Sequence, residues 1–294
     1  MPDSSKKLMS TVAEDSSLRV RVARKVIQAY RLTRGKDRLY LMLRSVLRLP
    51  RFLVVNLDED LRFNCDLDEY LQRWIFCHGA AADADFCAMH RILRDGDHFV
   101  DVGANIGIFS LLGSKRVGVK GQVYSVEAAP SIQTKLQTNL IRNGSENVKI
   151  IPLALSNKSG VVSFFVSTGG NNGASSLSSN TPDGERITVQ ARALDSLIED
   201  GTIHRCDVLK MDIEGAEPLA LQGMIELFET SPPRAVMIEI AESLLANFSA
   251  TPADVINFFV NHGYSWHRAT SRGFEKLNDL NIGGFQNLWA IRQK

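Results

Sequence analysis

Short apolar runs alternate with segments of helical periodicity along most of the chain. Runs rich in Val, Ile, Leu and Met, bounded by charged or turn residues, are typical of buried strands. The segments between them place apolar residues three and four positions apart, as Ile132, Leu136 and Leu140 are in the predicted helix 130–143. This alternation predicts a Rossmann-like α/β fold, a sheet with helices on both faces. The predicted core strands are 99–102, 122–126, 148–153, 207–211, 234–240, a sixth from Tyr264, and 287–291.

Two amphipathic helices are predicted before the first core strand. The first covers 18–30, with the apolar set Leu18, Val22, Ala23, Val26, Ile27 and Tyr30. The second follows Gly35 and ends before Pro50, with the apolar stripe Leu39, Met42, Leu43, Val46 and Leu47. The apolar runs 52–57 and 61–66 then predict a short hairpin.

Charge is distributed unevenly along the chain. Residues 1–51 hold 13 Lys and Arg against four acidic residues, a charge of +9, so the remainder carries −8 of the total of +1. We therefore divide the chain into a basic, partly disordered helical extension, 1–51, and an α/β domain, 52–294, with 1–17 as the disordered part. Basic amphipathic helices are typical of peripheral contact with anionic membranes, and equally of helices that cover a domain while their arginines stay solvated. No contact with nucleic acid is expected.

Composition limits the compartment and the kinds of site. The chain has no run of 18 apolar residues, and Met1 to Ser17 lack the apolar core of a signal peptide. Cys65, Cys77, Cys87 and Cys206 show no Cys-x-x-Cys spacing, which disfavours a zinc site and a disulfide framework. The sequence predicts a cytoplasmic protein, with peripheral membrane contact of the basic helices as the alternative.

The run from His98 to Gly107, His-Phe-Val-Asp-Val-Gly-Ala-Asn-Ile-Gly, predicts a strand, a glycine turn and the start of a helix. Glycine lets a backbone approach a ligand closely, and a helix N-terminus offers unpaired N–H donors. This unit therefore predicts a site for a nucleotide-like cofactor. A dinucleotide fingerprint requires glycines where this chain has Asn105 and Ile108, so an NAD-dependent oxidoreductase is the weaker interpretation.

Acidic residues mark the ends of two consecutive predicted strands, Asp101 in the first and Glu127 after the second. A carboxylate at the first position suits the cationic amino-acid part of an adenosylmethionine-type cofactor better than a pyrophosphate. At the second position, a carboxylate suits two ribose hydroxyls, which it accepts together. The alternative is structural, with Asp101 capping the following helix and Glu127 as a solvated strand end.

From about Phe63 to Trp289 the chain resembles the FkbM-type family of S-adenosylmethionine-dependent methyltransferases. The resemblance rests on Phe99-Val-Asp-Val-Gly-Ala-Asn-Ile-Gly107, Val126-Glu-Ala128 and, most specifically, Leu209-Lys-Met-Asp-Ile-Glu-Gly-Ala-Glu217. It implies a seven-stranded class I methyltransferase sheet with an antiparallel seventh strand and S-adenosyl-L-methionine as cofactor. It also implies O-methylation of a sugar or another small hydroxylated metabolite. The segment Gly79 to Asp83 departs from a Gly-x-x-Glu-like element of the family.

The glycine turn and the resemblance together assign residues to roles. The predicted cofactor-binding residues are Asp101, Gly103, Ala104, Asn105, Gly107, Glu127, Ala128 and Ala154. Asp212 and Glu214 are the predicted catalytic residues, as the base that takes a hydroxyl proton or as groups that hold the acceptor. Lys210 and Glu239 are the predicted substrate-binding residues, and an ion pair with Lys210 is the alternative role of Glu239. No metal site is assigned, although carboxylates at this edge would also suit a divalent metal.

Further expectations concern helix caps, a loop and the chain as a whole. Glu217 and Asp195 are expected to cap helices. The loop 168–183, rich in Gly, Asn and Ser between two predicted strands, is interpreted as a lid or acceptor-binding segment, with a plain disordered excursion as the alternative. A non-catalytic, membrane-recruited module with a vestigial cofactor site is the third interpretation of the whole chain.

Overall fold

The fold is built from short strands and helices. The computed structural model describes residues 13–14, 17–30, 33–57, 60–167, 174–181, 184–280 and 282–293. The strands are β1 Ala13–Glu14, β2 Phe52–Asn56, β3 Arg62–Asp66, β4 His98–Val102, β5 Gln122–Val126, β6 Val148–Ile151, β7 Ala154–Leu155, β8 Gly160–Ser167, β9 Gly184–Arg192, β10 Val208–Met211, β11 Ala235–Ala241, β12 Tyr264–Thr270, β13 Gly273–Lys276 and β14 Phe285–Arg292. The α-helices are α1 Leu18–Ala29, α2 Thr33–Val46, α3 Tyr70–His78, α4 Ala84–Ile92, α5 Ile108–Val117, α6 Pro130–Arg142, α7 Leu194–Glu199, α8 Glu217–Gln222, α9 Ile225–Thr230, α10 Glu242–Leu245 and α11 Pro252–Asn261.

An eight-stranded sheet forms the centre, in the order β13-β12-β14-β11-β10-β4-β5-β6. The five strands from β11 to β6 in this order are parallel, and β14 runs antiparallel to β11. The predicted fold class is confirmed, and β13 is an additional edge strand paired with β12. The chain moves from β4 outward to β6 and later returns to the other side of β4 with β10. Such a switch point leaves a crevice at the carboxyl ends of β4 and β10, where ligands bind in open α/β sheets.

Helices cover both faces of this sheet, because successive residues of a strand point to opposite faces. In β4, Phe99 belongs to a core cluster that includes residues of α1 to α6, and Val100 belongs to a second cluster with α7 to α11. In β10, Val208 and Leu209 divide between the same two clusters. Burial on both faces explains why these strands appear in the sequence as continuous apolar runs.

Helix α1 packs into the first cluster through a narrower face than the sequence predicts. Its fully buried residues are Val20, Ala23 and Ile27. The remaining apolar residues of the predicted set face solvent, with exposures of 71% for Leu18 and 45% for both Val22 and Val26. The helix therefore covers the domain and also leaves an exposed apolar row beside its arginines. Contact of this row with a membrane stays a prediction.

Helix α2 begins at Thr33, before Gly35, and its buried face coincides with the predicted stripe only in part, since Leu39, Leu43 and Leu47 pack against the first cluster. Tyr40 is 1% exposed, and its hydroxyl donates to the carbonyl of Leu67 over 3.2 Å. Met42 and Val46 of the predicted stripe are 54% and 72% exposed, so that part of the prediction is wrong. The surface formed by the hairpin and α3, rather than the amphipathic pattern of α2 alone, selects which side chains are buried.

Two smaller features complete the N-terminal part. Strands β2 and β3 form the predicted antiparallel hairpin, and residues 13–14 pair with β2. The rest of the segment 1–17 that was predicted as disordered, apart from Ser17, lies outside the described residues. In the parts of the chain that the structure covers, no helix combines the length and the apolar character that crossing a bilayer requires.

Asp195 caps a helix, but not the one in which it lies. Its carboxylate accepts the backbone N–H groups of Glu226 and Leu227 over 3.0 and 2.9 Å, at the start of α9. The N-cap residue of its own helix, α7, is Ala193. Asp195 therefore joins two helices on the second face of the sheet, a role that depends on their packing.

Candidate functional site

A cavity of about 360 Å³ opens where the carboxyl ends of β4, β5 and β10 meet. Six predicted cofactor-binding residues line it, namely Gly103, Ala104, Asn105, Glu127, Ala128 and Ala154. The predicted catalytic and substrate-binding residues also line it, namely Lys210, Asp212, Glu214 and Glu239. The fold thus brings both predicted sets to one cavity, whereas Asp101 and Gly107 lie behind its wall.

Gly103 sets the distance between the cofactor turn and the end of β10. Its φ is +72°, and a Cβ built on it would lie 1.9 Å from the carbonyl oxygen of Asp212. A side chain at this position would therefore need a left-handed backbone and would push β10 away. The glycine brings the turn next to the segment that carries the predicted catalytic residues.

Asn105 occupies a position where a glycine-rich cofactor loop has its middle glycine. Its φ is +51°, a left-handed conformation that Asn tolerates better than most residues. Its Oδ1 accepts the N–H of Ile106 over 2.8 Å, and its own N–H donates to Glu127 over 2.9 Å. The exchange of Gly for Asn therefore preserves the turn.

Asn105→Val is expected to destabilise the protein by about 1–2 kcal/mol, because a β-branched residue is strained at positive φ. Asn105→Gly is expected to stay within about 1 kcal/mol of the unchanged protein, since glycine accepts this conformation freely. Urea unfolding measures both. Ser249, with φ +56° and away from the cavity, provides the matched control. Ser249→Val should lose a similar free energy of unfolding but keep its affinity for the predicted cofactor. An Asn105→Val variant as stable as the unchanged protein would contradict this expectation.

Gly107 does not line the cavity, and its predicted contact with the cofactor stays a prediction. It is the N-cap residue of α5 with φ +90°, and a Cβ there would lie 2.4 Å from Cδ1 of Leu136. The second glycine of the turn therefore permits α5 and α6 to pack closely. Its role is to hold the turn in position from behind.

Glu127 directs its carboxylate into the turn from the end of β5. One oxygen accepts the N–H of Asn105 and the other accepts the N–H of Ala129, both over 2.9 Å. Because each carboxylate oxygen can accept two hydrogen bonds, both retain capacity for a ligand hydroxyl. Burial raises the pKa of Glu127, while the two backbone donors oppose that shift. This geometry is compatible with the predicted contact to two ribose hydroxyls.

Asp101 and Lys210 form a buried pair behind the turn. Asp101 is fully buried, accepts the Ser110 hydroxyl over 2.6 Å, and lies 3.4 Å from the Lys210 ammonium. Asp101 does not line the cavity, and the predicted contact of its carboxylate with a cofactor amino group stays a prediction.

The Lys210 ammonium is held by the loops around it and is not directed only at an acceptor. It donates to the carbonyl of Gly103 over 2.8 Å and lies 3.6 Å from the Asp212 carboxylate. Burial alone would lower its pKa, but the charges of Asp212 and Asp101 outweigh burial and raise it. Lys210 lines the cavity as predicted, yet its contacts assign it to positioning the turn and the end of β10.

Carboxylates crowd the wall of the cavity next to the end of β10. One oxygen or more from each of Asp212, Glu214 and Glu239 lie within 4.8 Å of one another. Burial, followed by the charges of Asp212 and Glu217, raises the pKa of Glu214 to about 8. Burial and the charges of Asp212 and Glu214 raise the pKa of Glu239 far above its ordinary value. These raised pKa values mean that Glu214 and Glu239 are held in their protonated forms near neutral pH, because crowded carboxylates do not all ionise together.

Glu217 has the structural role that the sequence predicts. It lies in the first turn of α8, is 1% exposed, and accepts the N–H of Ile213 over 3.0 Å. Burial raises its pKa to about 7. It thus fixes the loop between β10 and α8 from within.

Glu214 is the strained residue of this loop, with φ +56°. Its carbonyl oxygen accepts the Ser176 hydroxyl over 3.0 Å. Ser176 also exchanges two backbone hydrogen bonds with Phe165 of β8, over 2.8 and 3.0 Å. Residues 174–181 of the loop predicted as a lid therefore lie against the cavity, and Ser175 and Leu177 line it. The lid hypothesis for 168–173 and 182–183 falls on residues outside the described ranges.

Several cavity residues were missed from the sequence. They are Tyr70, Leu71, Asp83, Phe109, Phe285 and Asn287. Asn287 is a polar residue inside a predicted apolar strand, a signal that could have marked it. The others lack such a signal, because Tyr70 and Phe285 come from segments more than 200 residues apart in the chain. Only the fold brings them to the same opening.

Comparison with known proteins identifies the domain. Residues 101–266, more than half of the chain, match the Methyltransferase FkbM domain. Hexuronic acid methyltransferase AglP of Haloferax volcanii is 31% identical over 139 residues, which are 47% of this chain and 54% of that protein. Methyltransferase sdnD of Sordaria araneosa is 27% identical over 171 residues, 48% of this chain and 66% of that protein. The chain spans about half to two thirds of the length of these curated relatives.

Solved structures show more distant likeness. The M. jannaschii TYW2 structure in complex with AdoMet has a TM-score of 0.41 and 13% identity, covering 83% of this chain and 86% of that chain. Precorrin-6y C5,15-methyltransferase from Geobacter metallireducens GS-15 has a TM-score of 0.41 and 14% identity, covering 72% and 87%. The strand order described above defines the fold class.

The domain match favours one of the interpretations of the α/β domain that the sequence allows. It agrees with the predicted cofactor, S-adenosyl-L-methionine, and disfavours an NAD-dependent oxidoreductase. The chain belongs to the FkbM methyltransferase domain family.

Proposed function

We propose that this chain is an S-adenosylmethionine-dependent methyltransferase that methylates a hydroxyl of a small, carbohydrate-like acceptor. The observation that carries the proposal is the shared cavity. Glu127, whose carboxylate suits two ribose hydroxyls, lines the same cavity as Asp212 and Glu214. A cofactor and a hydroxylated acceptor would meet inside this cavity.

The residues of the cavity fit the cofactor. Glu127 keeps acceptor capacity for the ribose hydroxyls, and Gly103 leaves room where a Cβ would collide. Ala128 and Ala154 add small apolar side chains, 8% and 7% exposed, which suit an adenine face. When bound, S-adenosylmethionine supplies an electrophilic methyl group on a sulfonium.

The chain's own contribution to methyl transfer is to position the acceptor and receive its proton. Methyl transfer from the bound cofactor would convert the acceptor hydroxyl to a methyl ether, and the hydroxyl proton would have to be removed. The hydroxyl proton would pass to a carboxylate, and Asp212 and Glu214 are the groups we assign to this task. Glu214 accepts a proton only when it is ionised, and its raised pKa of about 8 places that condition above neutral pH. Exclusion of water by the buried walls would favour transfer to the acceptor.

Support for a sugar-like acceptor comes from two directions. A relative that matches about half of the chain is named as a hexuronic acid methyltransferase. The cavity itself is lined by several carboxylates, which accept hydrogen bonds from hydroxyls. It is also lined by two aromatic side chains, Tyr70 and Phe285, which are 57% and 69% exposed. Aromatic rings with polar partners suit the apolar faces and hydroxyl edges of a sugar ring.

Calorimetric titration with S-adenosylmethionine, S-adenosylhomocysteine and NAD tests the cofactor part. We expect the two sulfur ligands to bind and NAD not to bind. Incubation with methyl-labelled S-adenosylmethionine and a panel of methyl glycosides then tests the acceptor, with an O-methyl signal in the product's NMR spectrum as the expected result. Binding of NAD alone would contradict the cofactor assignment, and label transferred only to amines would contradict the hydroxyl acceptor.

A further inference from the structure

We propose that Asp212, Glu214 and Glu239, together with Oδ1 of Asn287, form a binding site for one divalent cation of the Mg²⁺ or Mn²⁺ type on the wall of the cavity. The role that we give this cation rests on the proposed function, but its binding does not.

Three carboxylates are already close enough to share one cation. Asp212 and Glu214 follow β10, Glu239 lies in the neighbouring strand β11, and ligand oxygens of all three lie within 4.8 Å of one another. Two oxygens on opposite sides of a cation are roughly 4–5 Å apart, since metal–oxygen distances are about 2.0–2.6 Å. The cluster can therefore surround a cation without a large rearrangement.

Two buried acceptor atoms at this cavity have no donor among the residues that the structure describes. Glu239 is 5% exposed, and its Oε2 lacks a hydrogen-bond partner among the described residues. Oδ1 of Asn287 is also buried and unpartnered within the same residues. A buried acceptor without a donor is costly, more so when charged. These two oxygens therefore point to a missing partner.

The two unpartnered acceptors belong to one cross-strand pair. Glu239 of β11 lies directly opposite Asn287 of β14 in the antiparallel register, so their side chains share a face of the sheet. The Asn287 side chain also bonds to Asp85, whose carboxylate accepts the indole N–H of Trp289 over 2.8 Å. Because a carboxylate only accepts hydrogen bonds when it is ionised, that bond uses the amide nitrogen of Asn287 and leaves its oxygen free for a cation.

Charge around the cluster favours a cation over a second protein donor. The ammonium of Lys210 faces these acids. It already donates to the carbonyl of Gly103 and lies beside the carboxylates of Asp101 and Asp212. No ion pair joins it to Glu239 or Glu214 within the described part of the chain. Buried carboxylates are normally paired or coordinate a metal. Hard oxygen ligands without nitrogen or sulfur suit Mg²⁺, Mn²⁺ or Ca²⁺ rather than zinc.

A cation here would give the acceptor a defined position. It would hold two acceptor oxygens and stabilise the negative charge that develops on the attacking oxygen. Asp212 and Glu214 would each bind it through one oxygen and keep the other for the hydroxyl proton. The specificity of the site would then favour acceptors with two neighbouring oxygens.

Titration of the EDTA-treated full-length protein with Mn²⁺, followed by electron paramagnetic resonance of free Mn²⁺, tests the proposal. It is run with and without S-adenosylhomocysteine. We expect one saturable site from which Mg²⁺ displaces Mn²⁺. Glu239→Gln and Asn287→Ala should each weaken Mn²⁺ binding, the first by at least tenfold. Glu242→Gln, an exposed acid just beyond β11, is the matched control and should bind Mn²⁺ unchanged.

The outcomes separate this proposal from the proposed function. Absence of saturable Mn²⁺ binding, or a folded Glu239→Gln variant that binds as well as the unchanged protein, overturns the cation site. If EDTA does not change the rate of methyl transfer, the cation has no role in the reaction, and the proposed methyltransferase function is unaffected. Stoichiometric Mn²⁺ binding that Glu239→Gln weakens supports the site even if every tested acceptor fails. Circular dichroism of each variant shows that it is folded.

Discussion

Glu127→Ala is expected to weaken the binding of S-adenosylmethionine and of S-adenosylhomocysteine by about 100-fold or more. Hydrogen bonds to a charged group contribute roughly 1.5–3 kcal/mol each, and about 1.4 kcal/mol corresponds to tenfold in affinity. Loss of two ribose contacts therefore gives at least this change. The substitution also removes the acceptor for the N–H groups of Asn105 and Ala129, which loosens the turn. Calorimetric titration measures the affinity.

Controls separate a lost ligand contact from a lost fold. Glu127→Gln keeps the shape of the side chain and one acceptor oxygen. Its affinity for the cofactor should therefore lie between that of the unchanged protein and that of Glu127→Ala. Glu146→Ala removes an exposed acid far from the cavity and should leave affinity unchanged. Near-UV circular dichroism checks that each variant is folded. A folded Glu127→Ala variant with undiminished affinity would show that this carboxylate does not contact the cofactor.

Lys210→Met is expected to destabilise the protein by about 3–5 kcal/mol. Lys210 is 3% exposed, and its ammonium lies 3.4 Å from the carboxylate of Asp101, which is fully buried. Removing one partner of a buried ion pair leaves the other charge uncompensated, which carries a cost of roughly this size. The carbonyl of Gly103 also loses its donor. Urea unfolding at neutral pH measures the free energy of unfolding.

A double variant and a surface pair test the cause of this loss. Lys210→Met combined with Asp101→Asn removes both charges and should recover part of the stability, since no buried charge is left alone. Lys115→Met breaks the exposed pair with Asp60, whose nitrogen and oxygen lie 2.8 Å apart, and should cost less than about 1 kcal/mol. A Lys210→Met variant as stable as the Lys115→Met variant would argue against the buried-pair account.

The buried faces of the two N-terminal helices could not be predicted from the apolar pattern alone. The apolar runs of the core strands are buried on both faces, so they are recognisable without knowledge of their neighbours. Helices α1 and α2 carry apolar residues on more than one face, and only their packing against the rest of the domain selects Val20 and Tyr40 for burial over Leu18 and Val46. The same reason explains Asp195, whose type predicts a helix cap but whose target helix depends on tertiary contacts.

The candidate site divides in the same way. Glu127, Gly103 and Asn105 were predictable because a strand, a glycine turn and a helix are close in sequence and dictate local geometry. Asp101 and Lys210 were assigned to ligands, yet they pair with each other, because β4 and β10 are adjacent only in the folded sheet. Asn287 lies opposite Glu239 for the same kind of reason, through an antiparallel register between β11 and β14.

By itself, the sequence determined the class of fold, the strand and turn of the cofactor loop and the acidic residues that mark the sheet edge, since hydrophobic periodicity and backbone preference are local properties. The tertiary structure decided which of those acids face the cavity, which are held in ion pairs and which lack a partner. These outcomes depend on contacts between segments far apart in the chain, and a residue's type and spacing do not encode them.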